Sequence, residues 1–182
     1  MKQVLRKKYL FVRDGIANRE EKDTLIMHKV LENKEILKCK LVLAYVSTKS
    51  EVNTLNIIDT LLTNKKVAVP KIEKGKMAFY EISSLAELKE GYYGILEPIN
   101  RNRITNFDNC VSITPGICFD KSLYRLGYGK GFYDKFYSEN KDIYKLGLCY
   151  DECLIDDTNH SEYDITMDEI ITPTKRVLKK QI

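Results

Sequence analysis

Apolar positions along this chain change rhythm near residue 40. Before it, Leu25, Val30 and Leu37 recur at loose helical spacing among charges, with a break near Gly15, and predict two helices. After it come short runs of strand length: LVLAYV (41–46), KVAVP (66–70, stopped by its proline), MAFYEI (77–82), CVSITP (110–115), YKLGLCY (144–150) and EIITP (169–173). TLNIIDTLLTN (54–64) returns to helical spacing, and a further helix is expected between Gly131 and Asn140. Strands that are apolar throughout, separated by helices, imply an α/β fold. We expect one three-layer domain over residues 1–182, with a mainly parallel sheet covered by helices on both faces. Ligands of such sheets sit beyond the carboxyl ends of the strands, so chemistry is sought in the loops after Val46, Pro115 and Tyr150.

Composition narrows the class. Of 182 residues, 43% are hydrophobic and 31% charged, which excludes a disordered chain. No apolar run approaches the ~20 residues of a spanning helix, and the N-terminus lacks the apolar core of a secretory signal. A soluble, cytoplasmic monomer with no membrane partner is expected. The five cysteines are odd in number and form no C-x-x-C pair, so free, partly buried thiols are expected. The net charge of +4 is spread along the chain beside 26 acidic residues, which gives little reason to expect a nucleic-acid partner.

Three of the nine glycines fall in RLGYGKGFYDKF (125–136). Glycines let a backbone approach a ligand closely, and a helix start offers unpaired N–H groups, so the stretch suits a phosphate chain, with Arg125 and Lys130 adding full charges. A plain turn is the competing reading. The Walker pattern fails because Gly131 follows Lys130, and the G-x-G-x-x-G fingerprint is absent. An RNA-recognition signature matches at Lys130, Gly131, Phe132 and Tyr137, but fails at Tyr133, Asp134 and Lys135.

The longer segment PGICFDKSLYRLGYGKGFYDKF (115–136) resembles the signature of the 5-formyltetrahydrofolate cyclo-ligase family. KQVLRK at the N-terminus, AYVSTKSEVNT, VAVPKI and EYDITMDEIITP are similar to further family elements, in the family's order. The resemblance implies conversion of 5-formyltetrahydrofolate to 5,10-methenyltetrahydrofolate, with ATP split to ADP and phosphate in the presence of Mg²⁺. It places Lys2 and Arg6 on ATP. It sets Arg125, Leu126, Gly127, Tyr128, Gly129, Lys130, Gly131, Phe132 and Tyr133 around the phosphates, with Lys130 and Arg125 as catalytic cations. It puts Tyr45 and Glu51, together with Tyr128 and Phe132, against the folate, and Asp134 and Asp164 on magnesium. Taken alone, Lys2 and Arg6 read as a solvated helix face, Asp134 as a helix-start acid and Tyr45 as core. His160 reads as a surface-loop residue and Cys118 as a small packed hydrophobe.

Overall fold

The structure is a computed structural model in which residues 1–180 are described. Three helices open the chain instead of two: α1 (Lys2–Asp14), α2 (Arg19–Leu31) and the short α3 (Lys34–Lys38). The extra break falls at Asn33, whose side-chain oxygen accepts from the Glu35 and Ile36 amides and starts a new helix. Next come β1 (Leu41–Ala44), α4 (Leu55–Leu61), β2 (Lys66–Glu73) and β3 (Lys76–Ile82). Pro70 does not end β2. Pairing with β1 stops at Ala68, so beyond it only β3 flanks the strand, and a residue lacking an N–H is tolerated there. The chain continues through the β4 (Leu88–Glu90) and β5 (Leu96–Pro98) hairpin to β6 (Cys110–Thr114), β7 (Cys118–Asp120), β8 (Arg125–Leu126) and α5 (Phe132–Glu139). It ends with β9 (Tyr144–Leu148), β10 (Leu154–Ile155), β11 (Glu169–Ile171) and β12 (Arg176–Leu178).

The main sheet has seven strands in the order β12-β11-β9-β6-β1-β2-β3. Its five inner strands are parallel, and only the edge strands β3 and β12 run the other way. Strand periodicity sends alternate side chains into two cores. Val42 and Ala44 of β1 join Ile26, Val30, Ile36, Ile57 and Ile58 from α2, α3 and α4. Leu41 and Leu43 face Phe119 of β7 and Phe136 and Tyr137 of α5. Helices do cover both faces, but on the second they share the work with a three-stranded sheet, β10-β7-β8. Those strands have two or three residues each, too few to show a period in the sequence.

From β1 the chain crosses to β2 on one side, and from β6 it crosses through α5 to β9 on the other. The carboxyl ends of the adjacent strands β1 and β6 therefore flank a topological switch point, where an open sheet leaves a crevice.

Phe119 supports one wall of it, locked between two glycines. A Cβ on Gly116 would lie 2.8 Å from its ring, and one on Gly147 would lie 2.5 Å from it. Gly147→Ala should therefore overpack the second core and destabilise the fold by about 1–3 kcal/mol. Thermal unfolding checks this, and an unchanged midpoint would show that the ring has room to move.

Candidate active site

The residues that follow β1, β6 and β9 converge at this crevice. A pocket with about 230 Å³ of space, open solvent included, is lined by Tyr45, Glu51, Gly116, Cys149, Tyr150 and, from α1, Arg13. Tyr45 is buried, and its hydroxyl donates to the Val52 carbonyl at 3.0 Å, which leaves its ring as wall. Burial, and then the Glu51 charge, push its hydroxyl pKa well up. Glu51 is held by its own turn, because its Oε1 accepts from the Thr48 amide at 2.8 Å and the Thr48 hydroxyl at 3.0 Å.

Beside the pocket runs the glycine loop between β8 and α5. Gly129 (φ 96°) and Gly131 (φ 72°) both take left-handed backbone that other residues rarely adopt. The Gly127 carbonyl accepts from Arg6 Nε at 2.8 Å, and a Cβ on Gly129 would stand 3.4 Å from the Arg6 guanidinium carbon. Lys2 Nζ lies 2.5 Å from Asp164 Oδ2. Residues 2, 6 and 13 share one helical stripe of α1, and that stripe lies along the cleft. Lys130 is exposed and has no hydrogen-bond or ion-pair partner among the described residues. Since 132–139 form a helix, the RNA-recognition alignment of this segment fails, because that signature requires a strand.

A family model described as the 5-formyltetrahydrofolate cyclo-ligase family matches residues 1–173. The chain belongs to the 5-formyltetrahydrofolate cyclo-ligase family. A probable 5-formyltetrahydrofolate cyclo-ligase of Schizosaccharomyces pombe is 32% identical, over 82% of this chain and 83% of the relative. Among solved structures, the 5,10-methenyltetrahydrofolate synthetase of Aquifex aeolicus superposes with a TM-score of 0.87 at 28% identity, covering 100% of this chain and 95% of that one. A synthetase from Mycoplasma pneumoniae, 24% identical with a TM-score of 0.74 over 94% of this chain and 98% of its own, shares the fold. The protein is thus an ATP-dependent ligase of folate metabolism.

Within this cyclo-ligase some expected site residues lie under the loop and not in the cleft. Leu126 is core, so only its backbone can serve a ligand. Arg125 is buried. Its Nη1 donates to the Pro115 carbonyl at 3.2 Å, its Nη2 lies 3.5 Å from Asp134 Oδ2, its plane covers the Tyr133 ring, and its Nε has no partner among the described residues. A Cβ on Gly127 would sit 2.5 Å from that guanidinium, so this glycine permits a close approach. Asp134 and Asp164 are linked through the next residue, since the Ile165 amide donates to Asp134 Oδ1 at 3.2 Å.

The residues that the sequence did not single out include Arg13 and Arg19. Arg13 donates to Ser50 Oγ at 2.9 Å, the Gly116 carbonyl at 3.2 Å and Tyr128 Oη at 2.8 Å. Arg19 donates to the carbonyls of Ser50 (2.7 Å) and Arg13 (2.5 Å) and covers the Tyr150 ring. The i, i+4, i+11 spacing of Lys2, Arg6 and Arg13 was the available signal. His160 stacks on Tyr124 with ring centroids 3.5 Å apart, near Asp120 and Asp157. Asp120 is filled by the Ser122, Tyr124 and Thr158 amides and the Thr158 hydroxyl, which makes it a pin between loops. All five cysteines are free and buried, and burial pushes Cys110 and Cys118 up to about 12.

Burial works against the Asp164 charge, but Lys2 and the Ser161 amide outweigh it and hold its carboxyl below the usual range. Such a depressed group contributes stability above the ordinary carboxylate range and loses it as pH falls through the depressed value. Acidification should therefore release the first turn of α1. Protection of the Leu5 amide, which donates to the Met1 carbonyl, taken relative to its intrinsic exchange rate, should fall in the native protein as pH drops through that value and should already be low near neutrality in Asp164→Asn, the two converging in acid; identical profiles would remove the pair from this role.

Proposed function

We propose that the crevice between β1 and β6 carries out the family's reaction with the residues placed there. In this reading the γ-phosphoryl group of ATP passes to the formyl oxygen of 5-formyltetrahydrofolate, N10 attacks the activated carbon, and phosphate leaves to give 5,10-methenyltetrahydrofolate. The convergence of the Tyr45–Glu51 pocket and the glycine loop on one cleft, with Lys2 and Arg6 closing it from α1, supports this most directly. Phosphoryl transfer needs positioning and positive charge more than covalent participation. The amides of residues 127–131 and the unpaired Lys130 supply that charge, while Arg125 holds the loop from below and adds a buried cation. Glu51 meets donors on the pterin, and Tyr45 packs against it. Phe132, the first residue of α5, lines one groove with Phe79, Phe107 and Phe136, and these rings suit the substrate's benzoyl ring.

Magnesium, when bound, would neutralise charge on the phosphates. Asp134 and Asp164 fit it: both are hard oxygen donors beside the loop, and Asp164 Oδ1 has no partner among the described residues. Among the described residues no helix is long and apolar enough to cross a membrane. Five free buried thiols suit a reducing compartment, and we place the protein in the cytoplasm on that ground, although an Arabidopsis thaliana relative is named as mitochondrial.

Incubating the protein with 5-formyltetrahydrofolate, Mg²⁺ and ATP and following the absorbance of the methenyl product tests the reading. ATP binding without turnover would make the protein a nucleotide sensor instead. Glu51→Gln should raise the folate KM more than the ATP KM, because losing one partner of such a bond costs about 1–3 kcal/mol. Equal changes would assign Glu51 to the fold. Lys130→Met should still bind ATP in calorimetry but turn over ~10²–10³-fold more slowly. Gly129→Val should fail at ATP binding, because a β-branched residue is excluded from φ 96°. Normal kcat in Lys130→Met would leave the charge to the loop amides.

A further inference from the structure

One hydrogen-bonded chain crosses the crevice from its folate side to its phosphate side. Arg13 Nη2 donates to Tyr128 Oη at 2.8 Å, and Tyr128 Oη donates to Glu51 Oε2 at 3.1 Å. Tyr128 belongs to the glycine loop, and Glu51 follows β1. Arg13 is the fixed end, because its other donors are held by Ser50 and the Gly116 carbonyl and its side chain is buried. Tyr128 is the movable member, since it is half exposed and flanked by Gly127 and Gly129. Loss of solvent and then the Glu51 carboxylate push its hydroxyl up to about 12, so near neutrality it keeps the proton it donates. Arg13 and Glu51 both line the pocket, so Tyr128 acts as a bolt between two of its walls.

A ligand that engages Glu51 with its own donors must displace the Tyr128 hydroxyl. A ligand that draws the loop around phosphates must pull the same hydroxyl away. Whichever binds first breaks the bond, and the second meets a crevice already open. We propose that Tyr128, positioned by Arg13, couples the two subsites so that each ligand tightens binding of the other. This rests on the assignment of Glu51 to folate and of the loop to ATP. Linkage then requires the same factor in both directions.

Calorimetric titration of a non-hydrolysable ATP analogue, with and without 5-formyltetrahydrofolate, reads that factor. In the native protein the analogue's Kd should fall about 3- to 10-fold when folate is present, the range expected for breaking one partly exposed bond to a charged group, and the reverse titration should return the same factor. In Tyr128→Phe the factor should approach one in both titrations, whatever the change in either ligand's own Kd. An undiminished factor overturns the coupling. Glu51→Gln separates this from the underlying assignment. A raised folate Kd in Glu51→Gln with undiminished coupling in Tyr128→Phe sinks the coupling alone, and an unchanged folate Kd in Glu51→Gln sinks the assignment and the coupling with it.

Discussion

The organisation of this cleft depends on one buried cation. Arg13 is 4% exposed, and a guanidinium taken from water persists only where its donors are answered. Burial alone would weaken its hold on the proton, yet Tyr128 and Glu51 more than reverse this and raise its pKa. Its acceptors come from three separate segments: Ser50 beyond β1, Gly116 beyond β6 and Tyr128 in the glycine loop. Breaking a buried charge from a partner costs about 3–5 kcal/mol, so these segments are held in mutual position by a constraint none could satisfy alone.

That constraint also explains how an N-terminal helix comes to line the crevice. Leu5 and Tyr9 pack α1 onto the second core, while Arg13 anchors its C-terminal end. Its N-terminal end has weaker ties. The Lys2–Asp164 pair is partly solvated, with side-chain exposures of 29% and 14%, and such pairs contribute little compared with a buried one. Stability therefore falls along α1 towards Lys2, the end nearest the segment carrying Asp164.

A second buried guanidinium sits beneath the glycine loop. Arg125 packs so close to Gly127 that no side chain fits there, and it joins the loop's start to the first turn of α5 through Asp134. The loop thus has a packed base and an exposed crown. Its left-handed glycines and the exposed Lys130 lie above, and a cation and an aromatic ring lie below.

The local code of this chain carried the parallel sheet, the helices on its faces, the switch-point loops and the glycine loop running into α5. Each is a matter of period or backbone permissiveness within a few residues. Asn33 and Pro70 show where that code stops short. One caps a helix that apolar spacing would continue, and the other is tolerated because a neighbouring strand has ended. The strands of the small β10-β7-β8 sheet exist only because distant partners pair with them. Lys2, Arg6 and Glu51 stand out through their resemblance to a family, and helical spacing puts Arg13 on the stripe of Lys2 and Arg6, but spacing does not reveal its burial, because a solvated helix arginine and a buried clasp look the same in one dimension. Its role was decided by tertiary structure alone, since the donors of a buried guanidinium can be matched only by acceptors brought together from loops far apart in the chain.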